Sequence, residues 1–105
     1  MATQKVYAQN TAQALQILVN RILLCLKAGG IPRMWLPGIR DDGYVGVDVV
    51  CVGKKDVVPT VRVLAPPEQY WISILQRMNE SKGDWKWILE MAGVSPYELA
   101  GILTV

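Results

Sequence analysis

Four aspartates, Asp41, Asp42, Asp48 and Asp56, are the side chains of this sequence best suited to chemistry, since a carboxylate pair can pass a proton or hold a hard cation. Asp41 and Asp42 stand directly before Gly43, where aspartate favours a turn through its own backbone, so chemistry is not needed to explain them. Asp48 interrupts a run of valines and is expected on the polar side of a strand, either solvated or marking a polar recognition site. Lys54 and Lys55 read as a solubilising turn rather than a phosphate contact. The rest of the catalytic repertoire is missing. The chain contains no histidine, which removes the usual general base, the partner of a Ser or Cys nucleophile and the commonest transition-metal ligand. No phosphate-cradling glycine motif occurs, and Gly29-Gly30 and Gly43 to Gly46 read as a helix end and a strand. The expectation is a protein that is not an enzyme and carries no cofactor or metal.

The elements that would position these residues follow from hydrophobic periodicity. A helix starts at Asn10 or Thr11, runs through Gln13 to Ala28 and ends at Gly29-Gly30 and Pro32. Leu15, Leu18, Ile22, Cys25 and Leu26 form its core stripe, but Ile17, Val19, Leu23 and Leu24 widen the apolar arc until Leu24 falls between Asn20 and Lys27 on the polar side. Such a helix is deeply buried or half of an interface. From Arg33 the period shifts toward two, with Asp41-Asp42-Gly43 as the turn opening a long strand. Within Tyr44 to Val52, Val45, Val47, Val49 and Cys51 share one face, and Tyr44, Gly46 and Asp48 the other. Val57 to Leu64 gives a further strand, which Pro59 makes an edge or delays until after the proline.

Pro66, Pro67 and Glu68 open a second helix, where an early glutamate suits the dipole, with Tyr70, Trp71, Ile74, Leu75 and Met78 as its apolar face. A short helix capped by Asp84 carries Trp85, Ile88, Leu89, Met91 and Ala92. The capping box Ser95-Pro96-Tyr97-Glu98 predicts a last helix from Pro96 to about Leu103. The expected fold is therefore α+β: an N-terminal helix, a small antiparallel sheet of two or three strands, then three C-terminal helices on one face, with the other face of the sheet open. Residues 1–105 form a single compact domain.

Composition narrows the setting. Eleven basic against nine acidic residues give a net charge of +2, too little to select nucleic acid or an anionic membrane as partner. The longest apolar stretch, Ile22 to Leu26, is too short to span a bilayer, and the N-terminal residues lack the apolar core of a leader. Cys25 and Cys51 fall in a helix and a strand and read as buried free thiols, with a disulfide between them as the alternative. Free thiols suit a reducing compartment, so a cytoplasmic protein is expected.

Two constellations bear on function. Trp85 to Leu103 resembles a helix-turn-helix segment, specifically in Ile88 through Leu103, covering less than a fifth of the chain. Gly93 sits where that family places its turn glycine, Val94 follows as the buried turn residue, and Leu99 and Ile102 match inward positions of the second helix. The resemblance implies a DNA-binding regulator. Against it, the outward positions Ser95, Pro96, Tyr97, Glu98, Ala100 and Gly101 bring no basic group to bases or phosphates. The second constellation is aromatic: Trp85 and Trp87, two apart on a short helix, cannot both point inward, and exposed tryptophan favours protein interfaces. The leading expectation is a small binding or regulatory protein acting through protein contacts, as a homodimer or with an unidentified protein partner. Its size and lack of motifs resemble accessory proteins of phages and mobile elements. Leu23, Leu24, Trp85, Trp87, Tyr97 and Asp48 are the interaction candidates, and DNA is the less favoured partner.

Overall fold

The computed structural model describes residues 3–36, 40–95, 97–98 and 101. Before the first helix comes a strand that the sequence pattern did not reveal, β1 (Gln4–Tyr7). Helix α1 (Thr11–Lys27) follows, capped by the Asn10 side chain, which accepts the Gln13 backbone N–H at 2.8 Å. Then come β2 (Ile31–Trp35), the two-residue β3 (Arg40–Asp41), the long β4 (Tyr44–Val52) and β5 (Val61–Ala65), followed by α2 (Gln69–Glu80) and the one-and-a-half-turn α3 (Lys86–Met91). Asp42 and Gly43 both take positive φ, the geometry that an Asp-Gly pair gives a tight turn between β3 and β4.

The sheet runs β1-β5-β4-β2, with β3 pairing β4 beside β2. It is mixed. β1 lies parallel to β5 and the other pairs are antiparallel, so β1 and β2 run the same way at opposite edges and α1 crosses between them. The expected order of helix, antiparallel sheet and three helices is thus corrected: the helix comes second, and the parallel pair exists because α1 supplies the crossover. β5 is also not an edge strand. It lies in the sheet interior and, in line with the alternative expectation, starts only after the proline: Pro59 stands two residues before the ladder, where its missing N–H does no harm. Of the helix expected from Pro96 to Leu103, residues 96, 99–100 and 102–103 lie outside the described residues. Its start is present as a capping box: Glu98 N–H donates to Ser95 Oγ and Ser95 N–H to Glu98 Oε2.

Helices α1, α2 and α3 share one layer. Leu18 and Ile22 of α1, Trp71, Ile74 and Met78 of α2, and Ile88 of α3 pack with Val47, Val49, Val61 and Val63 in one core. The Trp71 indole N–H donates to the Val45 carbonyl at 3.0 Å and pins α2 to β4. Tyr70, expected in this face, instead points out and is exposed. Glu68 is the N-cap residue of α2, but its side chain makes no cap bond there. Its carboxylate accepts from the Thr11 N–H at 2.7 Å and the Thr11 hydroxyl at 2.8 Å, placing a negative group at the N-terminus of α1. Asp84 does not cap α3, whose N-cap position is Trp85 without a side-chain bond.

Cys25 and Cys51 form a disulfide, which corrects the expectation of free thiols. Both face the core, one from α1 and one from β4, and the return of the chain through β2 leaves their Cα atoms 5.5 Å apart, inside the range a disulfide requires. A spacing of 26 residues carries no trace of that closeness.

Candidate functional site: the open face of the sheet

Strand alternation sends every second side chain away from the helices. On that side the register builds rows across the sheet: Ile31 with Val52, then Arg33 with Val50, then Trp35, Asp48, Arg62 and Lys5, then Gly46, Leu64 and Tyr7, with Tyr44 beyond. No helix among the described residues covers these rows. Trp35 is 64% exposed, Ile31 60% and Tyr7 50%, while Val52 is also exposed.

The centre of this face is nevertheless ordered. Asp48, expected to be solvated or a recognition group, is only 7% exposed and takes both ends of the Arg62 guanidinium, Nε at 2.7 Å and Nη2 at 3.0 Å. A bidentate pair of this kind is the strong form of the contact and leaves Asp48 committed rather than available as a base. Beside it Leu64 is fully buried, although it points away from the helices. The rings of Tyr7 on β1 and Tyr44 on β4 meet edge to face at 5.6 Å. Their strands are separated by β5, about 9.6 Å of sheet at the usual strand spacing. The two rings must therefore arch over the Leu64 strand. Gly46 makes room underneath, since a Cβ there would stand 2.7 Å from Leu64 Cδ2.

At the β2 edge the sheet is closed to further strands. The Met34 N–H points outward and donates to the Gly83 carbonyl in the turn after α2. Pro32, two residues away on the same outward phase, has no N–H to offer. Gly83 is the residue this contact requires: its φ is +82°, and a Cβ would stand 2.5 Å from the Met34 carbonyl oxygen.

The candidates named from sequence are dispersed. Asp48 lies on the open face. Leu24 is 45% exposed on the outer side of α1, while Leu23 is half-buried against the core, so the wide apolar arc is mostly absorbed by packing. Trp87 is buried, donates its indole N–H to Ser81 Oγ at 3.1 Å and has the Arg77 guanidinium 4.6 Å from its ring. Trp85 is half-buried against the core, with the Lys86 ammonium 5.9 Å from its ring. Tyr97 is almost fully exposed. Gly93 takes positive φ and Val94 packs against the core, while Leu99 and Ile102 lie outside the described residues. Sequence reasoning missed the part played by Tyr7, Tyr44, Leu64, Arg62 and Ile31. The signal for Tyr7 was short but present, in the alternation of Lys5, Val6 and Tyr7.

Among the described residues no three Cys, Asp or Glu side chains converge as metal ligands, and no helix is long and apolar enough to cross a membrane. No family model, curated protein or solved structure matches this chain.

Proposed function

We propose that this chain is a non-enzymatic binding module that acts through protein contacts made by the open face of its sheet. One observation carries the reading: Tyr7, Ile31, Trp35 and Val52 are large apolar side chains held outward on a single rigid surface. Isolated exposed hydrophobes are ordinary, but a group sharing one sheet face fits an interface, with tryptophan and tyrosine as its anchors. The buried Asp48–Arg62 pair and the Tyr7–Tyr44 contact support it by fixing the face in advance, so little ordering remains to be done on binding.

Homodimerisation is one form of this reading, and contact with a different protein is the other. Leu24 alone on the outside of α1 offers little area, and we assign the contact to the sheet face instead. Light scattering at several concentrations tests this with three proteins: wild type, Ile31→Asp/Trp35→Asp and Leu24→Asp. A dimer lost in the sheet variant and kept in Leu24→Asp supports the assignment. A dimer lost only in Leu24→Asp moves the contact to α1, and a strict monomer leaves the face to a different protein. DNA binding has less support, because the residues from Arg77 onward carry three basic against four acidic side chains. The disulfide favours folding in an oxidising setting and removes the ground on which a cytoplasmic location was expected.

A further inference from the structure

Where the open face runs out past β2, the turn after α2 stands beside it and closes one side of a groove of about 540 Å³. Arg33, Trp35 and Val52 line it from the sheet, and Met78, Asn79 and Lys82 from the helix end. We propose that this groove takes an acidic, apolar segment of a partner polypeptide, with a carboxylate held between Arg33 and Lys82 and the neighbouring aliphatic or aromatic side chain laid against Trp35, Val52 and Met78. The inference rests on the open face being a protein-contact surface, and it supplies the chemistry of the partner.

Charge decides the occupant. Both cations are exposed, and among the described residues neither side chain makes an ion pair or hydrogen bond. Among the described residues no carboxylate lines the groove, and the two cations outnumber the single carboxylate, Asp84, of the adjoining hollow of about 220 Å³ that Arg33 and Lys82 also line. The carbonyl end of α2, which would repel an anion, is already engaged: Ser81 N–H donates to the Arg77 carbonyl, and the Met78 carbonyl accepts from both Gly83 N–H and the Ser81 hydroxyl. Lys82 has a left-handed backbone, φ 57°, which together with Gly83 carries the chain round the end of the helix. A second copy of this chain would bring the same cations against their like, so the groove favours a different protein. Strand addition at β2 is blocked by Pro32 and by the Gly83 contact, so side chains rather than backbone must do the recognising.

The test is selection from a random peptide library displayed on phage, using the disulfide-intact protein. The selected peptides should be enriched in Asp or Glu next to Trp, Phe or Leu. In fluorescence polarisation with a labelled selected peptide, Arg33→Ala and Lys82→Ala should each weaken binding about fivefold. Exchange of the peptide's acid for its amide should do the same, and circular dichroism melts would show that the variants fold. Selected peptides without acidic residues, no selection at all, or binding unchanged in the Arg33→Ala/Lys82→Ala protein would overturn the groove. Peptides whose binding is lost in Tyr7→Asp but kept in that double variant would overturn it too, while leaving the open-face reading intact.

Discussion

On the helix side of the sheet, Val47, Val49, Val61 and Val63 meet α1, α2 and α3 and are wholly apolar and buried. On the other side, Trp35, Tyr7 and Ile31 stand in solvent around a buried ion pair and a buried leucine. The same strands make both faces. What differs is the kind of partner that organises each one. The closed face is held by shape against elements from elsewhere in the chain, whereas the open face is held by pairs reaching from strand to strand. A closed face of this kind stores stability, and an open one stores geometry at lower cost when it is altered.

The widest separation between the two should come from Trp71, which is buried at the junction of α2 and β4 and donates to a backbone carbonyl. Trp71→Ala is expected to lower stability by about 4 kcal/mol in urea denaturation, through the cavity and the lost transfer energy. That is a large fraction of what a domain of this size possesses. The disulfide between α1 and β4 comes next. Replacing both cysteines, Cys25→Ala with Cys51→Ala, should cost about 3.5 kcal/mol by loop closure over its 26-residue separation. Mass spectrometry after alkylation with and without reductant would check the bond itself. Two modified thiols in the unreduced, unfolded protein would remove it.

The open face should give way by smaller steps, and in a coupled manner. Asp48→Ala leaves the Arg62 guanidinium without its bidentate acceptor and should cost about 2 kcal/mol, below the range for a fully buried pair because both side chains keep some exposure. Asp48→Val with Arg62→Val should cost less than the sum of the single changes. A thermodynamic cycle measures that coupling, and simple additivity would show that the pair contributes nothing as a pair.

This division also explains what the sequence disclosed. The β4 alternation, the Leu18–Ile22 stripe of α1 and the Trp71–Met78 face of α2 were legible because each is a local period facing one core. β1 was not, since four residues with two polar ones give no reliable period, and its pairing with β5 joins Gln4 to Val61 across most of the chain. Pro59 allows two readings of β5, an edge strand or a start after the proline, and with β1 unseen nothing in the sequence chooses between them; the structure shows the later start. The disulfide was hidden for the same reason: Cys25 and Cys51 each look like a core residue of their own element. On the open face almost nothing was legible beyond its being open. Asp48 resembles a solvated strand residue until Arg62 is set beside it, and Tyr7 and Tyr44 have no relation in sequence until β5 comes between their strands. Glu68 likewise served a helix other than the one it precedes.

The smallest effect on stability is expected from the most exposed of the large apolar residues of the open face, Trp35. Trp35 of β2 pairs with Asp48 of β4 but stands 64% in solvent, so Trp35→Thr, which sets no second carboxylate opposite Asp48, should lower stability in urea denaturation by no more than about 0.5 kcal/mol. Set beside Trp71→Ala, this compares two tryptophans on opposite sides of one sheet, Trp35 carried by β2 and Trp71 by the helix packed on it. Binding should reverse the order, because Trp35 is an anchor of the proposed contact surface while Trp71 touches nothing outside the core. A fall of about 2 kcal/mol in Trp35→Thr would mean that Trp35 is packed beneath something, and the face would then be a second core rather than a surface held ready for another protein.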